Sequence, residues 1–297
     1  MSNQIPTGFS EEFTQEVQLK LQQRGSRFAE AATRRSFTGK DAKAVEQLGS
    51  VVAQKKTTRH ADTPLMDTPH DARWVYPVDY EFADLIDPQD ELRAIASFES
   101  SYVMNAASAM MRAQDDEIIN AIFSDTTKTG EDGGTTLSWN TYSTATATGH
   151  LVASGSVGMT VAKLRAAKKA LLAAEVDLDF DPLFCAISAE EHDDLLGETL
   201  ATSLDYNTRP VLVDGAITSF MGFNFINSER LNISAGSVTS CPAFAKSGLL
   251  LGVWGDVQGK VDERADKSYA TQVYAKTTIG ATRLEEGKFV EILCDQS

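Results

Sequence analysis

The sequence predicts an α+β fold, and three features of the chain point to it. A stretch without proline or glycine, from Ile95 to Phe123, has the apolar spacing of a long helix. The short apolar run Leu183–Ile187 is typical of a buried strand, and it leads into a helix start at Ser188. The last third of the chain, from Ala243 onward, has the patterning of several strands.

Length and composition favour one main domain with attached arms. The chain has 297 residues, of which 42% are apolar, and this is enough to build a real core. No run approaches the roughly 18 uncharged apolar residues that a membrane span needs. The N-terminus lacks a basic stretch followed by an apolar one, so we expect synthesis in the cytosol.

The first sixty residues are polar, with helical spacing at Phe13, Val17, Leu21 and Phe28. Such a segment buries too little apolar surface to be ordered by itself. We therefore expect contacts with neighbouring copies of the chain to hold it.

Charge is distributed unevenly over this part of the chain, although the net charge is −15. Residues 20–59 carry ten basic and three acidic side chains, whereas residues 61–95 carry nine acidic and two basic ones. Adjacent blocks of opposite sign favour docking of one on the other, within a chain or between chains. Two solvated surfaces are the alternative interpretation.

Residues 58–92 are predicted to be extended, because prolines recur through them and a strand pattern lies inside them. A proline within that pattern favours an edge strand or a two-stranded loop that projects from the body. The alternating large side chains are Trp74, Tyr76, Val78, Tyr80 and Phe82.

Beyond this loop, the helix over residues 95–123 would be about 40 Å long and would serve as a structural spine. Residues 124–158 read as a hairpin or a long loop. A second helix is predicted with Thr160 as its N-cap. Its apolar face holds Leu164, Ala167, Leu171 and Ala174, and its outward face holds Lys163, Lys168 and Lys169.

Candidate chemical sites give little support for catalysis or for bound cofactors. The three cysteines, Cys185, Cys241 and Cys294, are odd in number and lack CxxC spacing, so we expect buried free thiols and neither disulfides nor a zinc knuckle. A nucleophile and base pair of Cys185 and His192 is disfavoured because the cysteine lies in an apolar strand. We find no Gly-x-Ser-x-Gly elbow, P-loop or dinucleotide fingerprint.

Two acidic segments resemble metal sites in composition. The segment His60–Asp71 offers two imidazoles and three carboxylates, but its prolines favour a solvated loop over a rigid ligand frame. Asp177, Asp179 and Asp181 mimic the start of a calcium loop, yet Pro182 stands where the turn glycine belongs. We expect a strand there with its acids in water, and we predict no catalytic residue, no cofactor and no metal.

Several strings of residues carry a family resemblance. Ile187–Leu196 is followed by Val213–Ile217 and then by Met221–Ser228, and near the end Ile279–Arg283 precedes Val290–Ile292. In this order, after a basic arm, an acidic extended loop and a long helix, the chain resembles the major capsid proteins of tailed bacteriophages with the Hong Kong 97-type fold.

The resemblance implies a division of the chain into regions. Residues 1–57 would be an N-terminal arm, 58–94 an extended β-hairpin loop, and 95–158 a peripheral domain with the spine helix. Residues 159–250 would form a central α/β axial domain, and 251–297 would be strands that return to the peripheral domain. The chain lacks the long N-terminal helical extension that some members use as a built-in scaffold, so a separate scaffolding protein or none is expected.

The function that the resemblance implies is a structural one. Pentamers and hexamers of the chain would form an icosahedral head around double-stranded DNA, without sequence-specific binding, in a virion made in the bacterial cytoplasm. A portal and possibly a cement protein would be further partners. The alternatives are an encapsulin-type nanocompartment shell and, from another class, a metal-dependent hydrolase that uses the His60–Asp71 segment.

Subunit contacts are predicted from the charge blocks and from the large amphipathic side chains of the loop. We expect basic residues of one subunit to pair with acidic residues of another. The candidate interface residues are Arg34, Arg35, Arg59, Trp74, Tyr76, Tyr80, Asp84, Asp87 and Asp90.

If this docking is electrostatic, assembled particles should dissociate at lower temperature as sodium chloride concentration rises. Exposed ion pairs contribute only about 0–1 kcal/mol each, so the effect is collective. The screening length is roughly 8 Å at physiological ionic strength and shortens with added salt. Light scattering during heating measures the dissociation temperature. A flat or rising curve would assign the attachment to apolar contacts, which salt does not screen.

Overall fold

In the computed structural model, the largest sheet is built around the apolar strand predicted from Leu183–Ile187. The structure describes residues 22–59, 65–86, 99–145, 149–198, 212–213, 216–234 and 237–296. In this part of the chain, the α-helices are α1 (Glu99–Ile122), α2 (Trp139–Ala145), α3 (Val161–Ala173) and α4 (Ala189–Gly197). None of these helices combines the length and the apolar content that crossing a lipid bilayer requires.

Strands account for most of the remaining regular structure in the described ranges. They are β1 (Thr33–Ser36), β2 (Ala42–Leu48), β3 (His70–Val75), β4 (Val78–Ile86), β5 (Thr127–Thr129), β6 (Thr135–Leu137), β7 (Leu151–Val152), β8 (Leu183–Ile187), β9 (Leu212–Val213), β10 (Ala216–Ile217), β11 (Ser219–Phe220), β12 (Phe223–Asn227), β13 (Ile233–Ser234), β14 (Val238–Ala245), β15 (Leu249–Arg264), β16 (Ala270–Arg283) and β17 (Phe289–Asp295).

The chain divides into two compact units. Unit 1 comprises residues 1–25, 79–113 and 255–277, and unit 2 comprises residues 26–78, 114–254 and 278–297. Helix α1 and strands β15 and β16 run from one unit into the other.

The main sheet of unit 2 has mixed directions. Among the residues that the structure describes, its order is β11-β12-β8-β14-β17-β7, and β13 pairs with β14 as a seventh strand. Strand β8 is parallel to β12 and antiparallel to β14, which in turn is antiparallel to β17. Residues Thr239–Ala245 of β14 are all buried. The apolar run of β8 is typical of a strand covered on both faces, whereas β14 also buries the polar residues Thr239 and Ser240.

Two helices of unit 2 begin with the predicted caps. Thr160 Oγ1 accepts a hydrogen bond from the Lys163 amide at 3.3 Å, and the Ser188 amide donates to the Glu191 carboxylate at 2.9 Å in a capping box. The prediction that Lys163 faces outward is wrong. Its side chain is buried, and Nζ donates to the carbonyl oxygens of Val157 (2.7 Å) and Leu293 (2.8 Å). These acceptors replace the water that the ammonium loses.

The first part of the chain is held by its own subunit where it is described. Asp115 of α1 is buried and accepts hydrogen bonds from Ser26 Oγ and from the amides of Arg27 and Phe28, and the Phe28 ring is fully buried. Strand β1 pairs in parallel with the start of β15. Neighbouring copies are therefore not needed to order residues 26–36, contrary to our expectation. Phe13, Val17 and Leu21 lie outside the described residues.

The stretch predicted as one strand over residues 73–82 is two strands, separated at Tyr76 and Pro77. Within β3 the predicted alternation is wrong, because Val75 is fully buried whereas Trp74 is half-buried. Strand β3 pairs with β2 and β5, so its inward face is set by that sheet. In β4 the alternation of Tyr80 and Phe82 holds, since both pack on the unit 1 core.

Two further segments differ from the sequence-based predictions. Residues 124–158 contain the predicted hairpin, β5–β6, but also helix α2, whose Trp139 is 2% exposed. Residues Asp177–Asp181 form turns and not a strand. There the Asp177 carboxylate accepts from the Asp179 amide at 3.1 Å, and this local bond competes with an extended conformation.

Unit 1 is built from β4, the first part of α1, and the distal parts of β15 and β16. Its core joins Ile86 of β4 and Met110 of α1 to Val273 and Ala275 of β16. The spine helix α1 begins at Glu99 in the structure, and residues 95–98 of its predicted range lie outside the described part. At 24 residues it is about 36 Å long.

A buried ionic network joins three elements of unit 2. The Arg283 guanidinium is fully buried and donates to the carbonyl oxygens of Ile122 (2.6 Å) and Ser124 (3.3 Å). Glu286 accepts from Arg283 Nε at 3.4 Å and from Arg73 Nη2 at 2.8 Å. The Arg283 guanidinium also lies 5.2 Å from the centre of the Trp139 ring. Burial lowers the pKa of Arg283, and Glu286 opposes that shift.

Glu286→Gln should destabilise the subunit by about 3 kcal/mol, because it removes the buried carboxylate that two buried guanidinium groups share. The free energy of unfolding, measured by urea denaturation, tests this. Glu46→Gln is the matched control, since Glu46 forms an exposed ion pair with Lys43 at 2.9 Å. We expect no measurable loss for the control. Equal losses for the two variants would contradict the role assigned to the network.

Candidate subunit interface

The loop between β2 and β3, residues 49–69, carries a group of exposed apolar side chains, and Leu48 at the end of β2 adjoins them. The amide of Gly49 donates to the Pro69 carbonyl at 2.8 Å and closes the loop at its base. Residues 48–59 are exposed throughout, and residues 60–64 lie outside the described part. The exposed fractions are 67% for Leu48, 52% for Val51, 79% for Val52, 102% for Leu65 and 41% for Met66.

Burying these side chains against a partner would be favourable, because full burial of one large apolar side chain contributes about 1.5–3 kcal/mol of free energy. Lys55, Lys56 and Arg59 are exposed in the same loop. The surface of the β2–β3 loop is thus apolar and basic together. The signal in the sequence is the pairs Val51-Val52 and Leu65-Met66 within a polar stretch. The predicted interface residues do not include them.

Unit 1 contains an apolar groove of about 240 Å³ between α1 and strands β15 and β16. Val103 of α1 is 40% exposed there and Val261 of β15 is 42% exposed. The Tyr274 side chain lines the groove, and its hydroxyl donates to Glu81 of β4 at 3.3 Å. The other apolar lining residues are Ala106, Ala107, Val257, Val273 and Ala275. Glu81 therefore brings negative charge to the edge of an apolar surface.

Trp74 and Tyr76, two of the predicted interface residues, lie together on unit 2. Trp74 Nε1 donates to the Gly130 carbonyl at 2.8 Å, and Tyr76 is 43% exposed. Both rings pack over Gly133, where a Cβ atom would lie 3.0 Å from the Tyr76 hydroxyl and where φ is +65°. Glycine is favoured there on both counts. The two rings line a cleft of about 280 Å³.

Strand β16 passes close to the backbone of Tyr76. A Cβ atom at Gly280 of β16 would lie 2.1 Å from the Tyr76 carbonyl oxygen, so only glycine permits this approach. Tyr80 belongs to unit 1, where it is half-buried against the core of that unit. The partial exposure of Trp74, Tyr76 and Tyr80 leaves their predicted role in subunit contacts open to test.

The charged interface candidates are spread over several elements. Arg34 and Arg35 are exposed on β1, and Arg35 Nη1 donates to the Ala44 carbonyl of its own chain at 3.2 Å. Arg59 is exposed in the β2–β3 loop, and Asp84 is half-buried on β4. Asp87 and Asp90 lie outside the described residues. The pairing of these residues between subunits stays a prediction.

The alternative metal segment is only partly described, since His60 and Asp62 lie outside the described residues. The Asp71 carboxylate accepts from Thr129 Oγ1 at 2.7 Å and from the amides of Ala72 (2.8 Å) and Gly130 (2.9 Å). Burial raises the pKa of Asp71, but these hydrogen bonds outweigh it and leave the pKa below its ordinary value. Asp71 is committed to fixing the β5–β6 hairpin.

The thiols are buried, as predicted for Cys185, Cys241 and Cys294. Burial raises the pKa of the Cys185 thiol, which keeps it protonated and unreactive at neutral pH. His192 is half-buried, and its Nε2 accepts from the Ile217 amide at 3.2 Å. The structure thus gives His192 a role in fixing strand β10.

Comparison with known proteins identifies a family. A family model described as phage capsid protein matches residues 5–296. A comparison with curated protein sequences gives no match.

Solved structures give the same fold. A chain from the capsid of cyanophage P-SCSP1u has a TM-score of 0.70 at 16% identity, over 98% of this chain and 94% of that chain. A chain from the capsid asymmetric unit of cyanophage Pam1 has a TM-score of 0.71 at 14% identity, over 98% and 97%. A chain from Mycobacterium phage Che8 has a TM-score of 0.69 at 16% identity, over 96% and 97%.

Neither a nanocompartment shell nor a hydrolase is favoured by these matches, and the α+β architecture agrees with the capsid chains over nearly the full length. The chain therefore belongs to the phage capsid protein family and is a structural subunit of the virion shell, with the Hong Kong 97-type fold.

Proposed function

We propose that this capsid subunit closes into an icosahedral head of pentamers and hexamers by seating the β2–β3 loop of one copy in the unit 1 groove of another. The observation that carries the proposal is an exposed apolar loop and an exposed apolar groove on one chain. Each leaves surface in water that the other is able to cover. A contact between two different patches repeats from copy to copy, and such contacts form rings and shells when the rotation closes.

The charges of the two surfaces support this pairing. Three exposed cations, Lys55, Lys56 and Arg59, and one exposed carboxylate, Asp67, accompany the apolar side chains of the loop. Glu81 lies beside the groove, and Lys260, which lines it, is paired with Asp262. Opposite charges around an apolar contact guide encounter and fix orientation, and the apolar burial supplies most of the affinity. The predicted pairing of Arg59 with acidic residues of a neighbouring subunit likewise places the positive charge on the loop.

The same shell would enclose double-stranded DNA without holding it tightly. A net charge of −15 per chain disfavours nonspecific binding to phosphates. An inner surface that binds DNA weakly would not hold the DNA back while it is packaged through a portal. A separate scaffolding protein, and possibly a cement protein, would complete the assembly in the bacterial cytoplasm. In this function the chemistry lies in the subunit interfaces, and no residue is assigned a catalytic role.

Val52→Asp and Leu65→Asp should each abolish particle formation while leaving the subunit folded. Both side chains are almost fully exposed, so a carboxylate costs the free subunit nothing, but it would cost several kcal/mol when buried in an apolar groove. Negative-stain imaging and size-exclusion chromatography measure assembly. Thr57→Asp adds the same charge at an exposed position of the loop without removing apolar surface, and it should still assemble.

Filling the groove tests the other half of the contact. Ala107→Trp should block assembly, because the indole would occupy the space that the loop needs, whereas circular dichroism should report a folded subunit. Normal particles from both Ala107→Trp and Leu65→Asp would refute the docking. Shells that form but contain no DNA after expression in infected cells would instead refute the genome-enclosing role.

A further inference from the structure

The three cysteines lie on one face of the main sheet of unit 2. Cys185 is opposite Ala243, Cys241 is opposite Ile292, and Cys294 is opposite Thr239 in the register of β8, β14 and β17. Residues two apart on a strand point to the same face, and residues opposite each other share that face. Positions 239, 241 and 243 of β14 therefore bring the three thiols to one side of the sheet.

A carboxylate from helix α4 reaches the same place. One oxygen of Glu191, the sulfur of Cys241 and the sulfur of Cys294 all lie within 4.8 Å of one another, and all three residues are buried. The capping box fixes this side chain, because Glu191 Oε2 accepts from the Ser188 amide. The other oxygen, Oε1, is buried and has no hydrogen-bond partner.

A second buried polar atom in the same region lacks a partner. Thr239 is 1% exposed, stands opposite Cys294 and is two residues from Cys241, and its Oγ1 makes no hydrogen bond. Buried polar atoms are nearly always paired, and an unpaired carboxylate oxygen is especially costly. Two unpaired buried oxygen atoms, Glu191 Oε1 and Thr239 Oγ1, lie near two thiols. This indicates that a further species completes the cluster.

We propose that Glu191, Cys241 and Cys294 form a structural zinc site. Thiolate sulfur with a carboxylate oxygen is a donor set that zinc accepts, whereas calcium and magnesium require oxygen donors throughout. Met159 Sδ lies 4.0 Å from Cys294 Sγ, so a thioether would be the fourth donor beside two thiolates and one carboxylate. In a tetrahedral site two sulfurs are about 3.8 Å apart. The sulfurs of Cys241 and Cys294 lie within 4.8 Å of each other, so binding needs a contraction of at most about 1 Å.

Binding of the ion has a defined proton balance. The two thiols give their protons to solvent as Zn²⁺ binds, and two thiolates with one carboxylate leave the site with a single negative charge. The bound ion would join α4 to β14 and β17 through direct bonds. It would stabilise the domain from inside, and it does not depend on the proposed subunit contact.

The unmodified full-length protein supplies the first test. Purified from zinc-supplemented cells under reducing conditions, it should retain about one zinc per chain after dialysis, measured by elemental mass spectrometry. Replacing zinc with Co²⁺ should produce a thiolate-to-cobalt charge-transfer band and the intense visible bands of a tetrahedral site. Absence of both zinc and the charge-transfer band would overturn the proposal, as would stoichiometric copper in place of zinc.

Variants assign the ligands. Glu191→Gln keeps a capping-box residue and removes the ionic ligand, so zinc affinity should fall at least about tenfold in a folded protein. Cys241→Ser and Cys294→Ser should lose the charge-transfer band. Cys185→Ser is the matched control, a buried thiol on the same sheet face but outside the trio, and it should keep zinc. Retention of zinc by both Cys241→Ser and Cys294→Ser would overturn the site; if they fail to fold, the Co²⁺ spectrum of the unmodified protein decides.

Discussion

The buried pairing of Glu286 with Arg73 and Arg283 constrains three parts of unit 2 at once: β3, β16 and the end of α1. Arg283 ends β16 and donates to the carbonyl of Ile122, the last residue of α1, and to that of Ser124 just beyond it. The last carbonyl groups of a helix have no partner within it. Arg73 brings in β3, and through it the base of the β2–β3 loop. Charges buried this deeply tolerate little displacement, because each guanidinium would lose acceptors that water does not replace. The network therefore fixes where the helix stops and where the loop starts.

Much of the fold was predictable because its signals are local. The apolar run of β8, the Thr160 cap and the capping box from Ser188 to Glu191 each occupy a few consecutive residues, and the structure has them where the sequence places them. The predictions that fail concern features without a strong local signal. A lysine within a helix usually faces water, which predicts an outward side chain for Lys163, but its acceptors lie partly in β17, more than a hundred residues away. The sequence does not predict helix α2, because seven residues are too few to show the apolar spacing of a helix.

The candidate site shows the same limit. The aromatic residues Trp74 and Tyr76 were found as large side chains on a strand, and the structure leaves them partly exposed. The groove was not predictable, since it combines α1 with β15 and β16, which lie more than a hundred residues apart in the chain. The cysteine cluster is similar: CxxC spacing describes ligands on one turn, whereas here a sheet register brings distant thiols together. Residues that meet only through register leave no pattern in a single sequence.

The closure of the β2–β3 loop at Gly49 and Pro69 has a consequence for how this chain tolerates change. Its two ends are already joined by a hydrogen bond, so lengthening the loop adds only a slowly growing entropic cost to folding. Insertions there would affect assembly of the particle much more than folding of the monomer. A foreign peptide grafted between these residues would therefore leave the subunit folded, and its cost would appear only in the formation of particles.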